Sequence, residues 1–149
     1  MLKVIVLVSV VLLSFGVTAF ASEVQENDIV GEWWSPKKDA RIEIYKTENK
    51  YFGKLSWVKP GDENKLDDKN PDPQLKAQKI LGLVILKDFN FKNETWLDGT
   101  IYDPKNGKTY SCKMSLEKGS PDVLKVRGFI GVSLFGRSES FERYIPTKE

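Results

Sequence analysis

The sequence contains no histidine and a single cysteine, Cys112, in 149 residues. Without histidine the chain lacks the commonest metal ligand and the side chain that most often moves protons near neutral pH. Ser-His-Asp and Cys-His catalysis are thereby excluded, as is histidine-based zinc hydrolysis. A lone thiol forms no intramolecular disulfide, so the fold must hold by packing alone. An excess of one charge is also missing, since 23 Lys+Arg stand against 21 Asp+Glu. That balance gives no basis for nucleic-acid binding or for attraction to an anionic membrane surface.

The longest apolar run lies at the start and is too short for a comfortable membrane span, which takes about 20 residues. Met1-Leu2-Lys3 gives a short positive start, Val4 to Val17 is almost unbroken apolar sequence, and Ala19-Phe20-Ala21 is a small-x-small cleavage signature. Residues 1–21 are therefore expected to be a signal peptide, with cleavage after Ala21. Residues 22–149 would form one domain, exported to a periplasm or secreted, with no stable membrane insertion after cleavage. A chain of this size buries enough surface for a core without staples.

What the remaining chain does have is a period of two. In "KTYSCKMSLE", Tyr110, Cys112, Met114 and Leu116 share one face, while Thr109, Ser111, Lys113 and Ser115 share the other. The segment before it, "ETWLDGTIYD", is joined to it by "PKNGK", where Asn106-Gly107 is expected to supply the positive φ values of a tight hairpin. Alternation recurs in "ARIEIYKT", "KYFGKLSWV", "DVLKVRGF" and "RSESFERYI". With Ile29 to Trp34 and Gly82 to Leu86 the count is about eight strands, an all-β antiparallel sandwich or barrel. "PDPQLKAQKI" is expected to form one short helical segment starting at Pro73.

"GEW" at Gly31 to Trp33, together with Arg143 on a late strand, resembles the Gly-x-Trp opening and closing arginine of lipocalin-like barrels. The resemblance implies that the guanidinium lies against the Trp33 ring and closes one end. Such a contact stabilises by about 0.5–2 kcal/mol. "GEWW", "NPDPQL", "ILGLVILKDF", "IYDPKNGKTYSCKMSL" and "LKVRGFIGVSLFGRSESFERY", in that order, resemble the exported bacterial family called domain of unknown function 2147. That resemblance implies a lipocalin-like (calycin-type) β-barrel and transfers no established activity.

Three segments stand out as candidate sites. In "LDDKNPDPQL", Asp67, Asn70 and Asp72 either turn and cap the chain as a rigid cover over one end, gate the barrel mouth as a lid, or offer oxygen ligands to calcium. The EF-hand order is absent, and Lys65 and Lys69 put positive charge beside that run, so no metal is expected. "RGFIGVSLFGR" is too apolar for an ordinary hairpin loop: residues 128–136 either fold inward as a plug or form an exposed patch for a partner. Arg127 and Arg137 flank it and, if they converged, would bind a carboxylate or phosphate head group. Finally, Tyr102, Tyr110 and Met114 are candidates to line an interior pocket.

No motif pairs Asp98, Asp103, Glu139 or Glu142 as an acid and base, and Cys112 falls on the apolar face with no base to activate it. The expectation is a non-enzymatic barrel, without catalytic residues or cofactor, that binds a small apolar or amphipathic ligand. The alternatives are an envelope protein-interaction module using loop 128–136, and a carboxylate-based hydrolase.

Overall fold

A computed structural model describes residues 23–132 and 134–147. The segment read as a signal peptide lies outside these. Eight strands follow one another: β1 (Gly31–Trp34), β2 (Ala40–Thr47), β3 (Lys50–Val58), β4 (Val84–Lys92), β5 (Thr95–Asp103), β6 (Lys108–Glu117), β7 (Ser120–Phe129) and β8 (Gly136–Arg143). Each pairs antiparallel with its sequence neighbour, and β8 returns to β1, so the sheet closes and no edge is left open.

Closure fixes an inner and an outer face on every strand, and the period of two assigns residues to them. Ile42 and Ile44 of β2, Cys112 and Met114 of β6, and Leu124 and Val126 of β7 are buried in the interior. Most of their outward neighbours are polar or charged, such as Glu43 of β2, which pairs across the outside with Lys54 of β3 at 2.9 Å.

The interior is filled rather than hollow. Trp33, Tyr51, Phe89, Trp96 and Met114 are each no more than 1% exposed. A void large enough for a ligand would leave such side chains beside open space. The tightest contact is between Phe89 and Gly99, where a Cβ on the glycine would lie only 2.4–2.5 Å from three atoms of the ring. Gly99 is there for room. Two irregularities set up the contact: the β5–β6 register shifts between Trp96 and Gly99, where Asp98 has φ 62°, and the β3–β4 register shifts beside Asp88, at φ 67°. Bulges of this kind bend the strand and re-aim side chains.

Three local expectations are corrected. Residues 71–80 form consecutive turns rather than a helical segment: Leu75 N–H bonds Asp72 O at 3.0 Å and Gln78 N–H bonds Leu75 O at 3.1 Å. Pro71 and Pro73 interrupt the backbone donors, and Asn70 and Asp72 side chains accept the N–H groups of Asp72 and Gln74 at 2.9 Å, so local turn bonds win over helix. The β5–β6 turn is longer than a two-residue hairpin. Only Gly107 has positive φ (71°), and its N–H and that of Asn106 both reach Asp103 O. The strand expected from Gly82 starts at Val84 and runs on to Lys92, because Gly82, at φ 89°, is a turn residue.

Replacing Gly99 by Ala should lower stability by about 1–3 kcal/mol through overpacking against Phe89. Urea denaturation checks this, and an unchanged midpoint would mean that the ring does not rest on the glycine.

Candidate functional site

One end of the barrel is a closed floor. Arg143 Cζ lies 4.1 Å from the centroid of the Trp33 ring. Its Nε donates to Asp122 Oδ1 at 2.8 Å and its Nη2 to Asp28 O at 2.6 Å. Trp33 Nε1 donates to Ile29 O at 2.8 Å, so the turn before β1 is held by both partners. Gly31, at φ 130°, passes beside the guanidinium; a Cβ there would be 3.5 Å from Arg143 Nη1. These residues supply closure, leaving no free group for a ligand.

The candidate ligand residues do not share a pocket. Met114 is in the packed core. Register places Ile101 opposite the inward Tyr110, and Tyr102 opposite Thr109, so Tyr102 and Tyr110 stand on opposite faces of the wall. Arg127 and Arg137 are likewise separated. Gly128 pairs with Arg137 and Arg127 with Ser138, which puts the two guanidinium groups on opposite faces. Arg127 instead donates to Ser138 Oγ at 2.9 Å and to Leu134 O at 3.2 Å, while Arg137 pairs with Glu139 at 2.8 Å. The two-pronged anion clamp is therefore not formed.

The cover segment between β3 and β4 leans on the outer wall rather than across the opening. Its anchor is Asp67, fully buried, whose Oδ1 accepts the Tyr102 hydroxyl at 2.7 Å and whose Oδ2 accepts Asn70 Nδ2 at 2.7 Å. Burial, reinforced by the Asp67 carboxyl, pushes the Tyr102 hydroxyl up to about 12, which keeps it a donor. The backbone carbonyl of Lys69 sits against the β5–β6 turn so closely that a Cβ on Gly107 would be 2.0 Å from it. Asp72 serves the turn after Asn70. A cleft of about 220 Å³ remains between this segment and the outer wall, bordered by Leu75, Gln78, Lys87 and Thr100. Among the described residues no group of three or more Asp, Glu or Cys is gathered to hold a metal.

Among the described residues, four exposed large apolar side chains fall together on the β7–β8 loop. Ile130, Val132, Leu134 and Phe135 are 72%, 60%, 79% and 73% exposed. The inward-plug reading of residues 128–136 is corrected accordingly. The interior has no room for these side chains, since Phe89, Trp96 and Met114 already occupy it. Sequence reasoning overlooked what lies beside this loop: a groove of about 330 Å³ on the outer wall, lined by Lys92, Lys113, Lys125 and Arg127 together with Thr95 and Ser115. The alternation in "KTYSCKMSLE" puts Lys113 and Ser115 outward, but only the cross-strand register brings the four cations together.

Trp34 packs edge-on against both Trp57 and Tyr144, at 5.3 and 5.5 Å between ring centroids. They enclose Arg41, whose Cζ is 4.1 Å from the Tyr144 centroid and 5.4 Å from that of Trp34, and which pairs with Glu32 at 2.8 Å. Cys112 is buried, and burial pushes its thiol up to about 12.

Residues 31–143 match the family described as "Uncharacterized protein conserved in bacteria (DUF2147)". A solved structure titled "Protein HP1028 from the human pathogen Helicobacter pylori belongs to the lipocalin family" is similar, with a TM-score of 0.70 over 82% of this chain and 84% of that one, at 18% identity. At that identity the likeness is one of fold: the barrel is lipocalin-like. No curated protein matches.

Tyr102→Phe should lower stability by about 1–3 kcal/mol, because Asp67 loses a partner it cannot replace with water. Hydrogen exchange in residues 66–79 should rise with it; an unchanged exchange rate there would show that Asp67 does not anchor the cover. Cys112 should resist thiol reagents at pH 8 in the native protein and react on unfolding, as mass spectrometry of the labelled chain would report.

Proposed function

The chain belongs to the bacterial DUF2147 family, and from that premise we propose that it is an exported, non-enzymatic binding barrel that engages an apolar or amphipathic partner from outside, through loop 128–136. One observation carries the reading: the interior is packed to within 1% exposure at its largest side chains, while four large apolar residues project from the β7–β8 loop. Monomeric soluble proteins rarely leave such residues contiguous at the surface without a partner for them. A lipocalin-like barrel also suits a ligand-binding role, and an amphipathic ligand satisfies both considerations if its chain meets the loop.

The non-enzymatic part rests on how the candidate carboxylates are used. Asp103 accepts the Lys105 N–H at 2.9 Å within its turn. Glu139 pairs with Arg137, and Glu142 pairs with Lys38 at 2.8 Å. Each of these three has a partner of its own.

The test uses Leu134→Cys labelled with an environment-sensitive fluorophore, the buried Cys112 being left in place. Titration with micelles of a dodecyl-chain amphiphile should shift the label's emission to the blue and leave tryptophan emission unchanged. A change confined to tryptophan emission would instead place the ligand in the interior, against Trp33 and Trp96. No change in either would remove the apolar partner.

A further inference from the structure

The apolar loop and the basic groove are one continuous surface. Arg127 lines the groove and donates to the Leu134 carbonyl, so the groove ends where the loop begins. Five strands contribute to it, β8 through Ser138. Lys92 of β4 pairs with Thr95 of β5, Thr95 with Ser115 of β6, and Ser115 with Lys125 of β7, while Lys113 pairs with Arg127 one step along. All of these point outward, since Trp96, Met114 and Val126 between them are buried.

Four cationic and three hydroxyl side chains line the groove, with Asn93 and Leu97. No carboxylate lines it. Three acids stand nearby: Glu117 meets Lys125 at 3.1 Å, Glu94 at the adjacent turn accepts the Val24 N–H at 2.9 Å, and Asp98 is exposed on the bulge across from Lys113. Each answers at most one positive charge, and the groove keeps an excess of cations despite a whole-chain balance of only +2. A whole-chain total does not report such a local concentration. Cations with hydroxyl donors around a concavity match the charge and bonding of a phosphate group. An apolar projection beside them matches acyl chains below a head group.

We propose that the outer wall of β4–β7 and the β7–β8 loop together dock the protein onto an anionic lipid surface, the groove receiving phosphate-bearing head groups while Ile130, Val132, Leu134 and Phe135 enter the interfacial region. This rests on the reading of loop 128–136 as the binding element and gives its partner a chemical class. Docking of this kind is peripheral and reversible, and the barrel itself stays in water.

The experiment is co-sedimentation of the mature protein with vesicles of phosphatidylglycerol mixed into phosphatidylcholine, against pure phosphatidylcholine, at low and high salt. Binding should require the anionic lipid and weaken with salt. Lys113→Gln and Lys125→Gln should each weaken partition about fivefold, taking roughly the contribution expected for one cation near an anionic surface. Leu134→Asp with Phe135→Asp should abolish it, with melting temperature unchanged because all four sites are on the outside. Equal binding to both vesicle types, unaffected by the lysine variants but lost in the loop variant, would overturn the head-group assignment and leave the loop reading standing. Binding that survives the loop variant would overturn the loop reading itself. No binding to vesicles, with inorganic phosphate alone shifting the Lys113 and Ser115 amide resonances, would make the groove a soluble-anion site and overturn membrane docking. No response to vesicles or phosphate would also overturn it.

Discussion

Phe89 lies against the backbone of Gly99, and that contact decides what kind of barrel this is. Eight strands enclose a space just wide enough either to be filled by side chains or to hold one small ligand. A glycine on one wall and an aromatic ring reaching it from the next strand close off the second possibility. In the same core Tyr51 is edge-on to Trp96 at 6.2 Å and Phe91 is tilted against it at 4.9 Å. A single free thiol and no metal cluster among the described residues leave packing as what holds the domain together. The same filling is why the binding proposed for this barrel is placed on its exterior.

Much of this architecture was legible before any coordinates. Alternation identified most of the strands, because each strand has one face in a common core and one in water. Trp33 and Arg143, more than a hundred residues apart, could be paired only through the family resemblance, and they meet at 4.1 Å. What escaped the sequence depended on register or on exceptions to it. Asp88 and Asp98 carry positive φ, which aspartate tolerates but does not announce, and without those bulges the Phe89–Gly99 contact has no geometric basis. Asp67 reads as a turn former in "LDDKNPDPQL", yet its decisive partner is Tyr102, on the outside of a strand 35 residues away. The helical segment expected after Pro73 gave way to side-chain bonds from Asn70 and Asp72 to the turn backbone. Lys92, Lys113 and Lys125 are unremarkable in three separate strands and form a groove only once those strands are aligned.

The two ends of the molecule divide the work. At the floor, Arg143 ties β8 to the turn before β1 through Asp28 and to the start of β7 through Asp122, so the seam of the closed sheet is secured where β1 is shortest. Toward the other end, the cover segment is bonded to the outer wall through Asp67, and the β7–β8 loop carries its apolar side chains outward. A rigid wall bearing an exposed loop suits recognition without internal rearrangement, which is how function is commonly added to a stable scaffold.

The central claim is that this lipocalin-like barrel binds on its outer surface and not within. It is tested most directly by following the backbone amides and the indole N–H groups by NMR while a soluble, short-chain phosphatidylglycerol is titrated in. The account predicts shifts confined to the β7–β8 loop and the outward residues of β4–β7, with the Trp33 and Trp96 indole resonances unmoved. Shifts at Trp33 and Trp96, with the loop unchanged, would show that the ligand enters the interior and would contradict it.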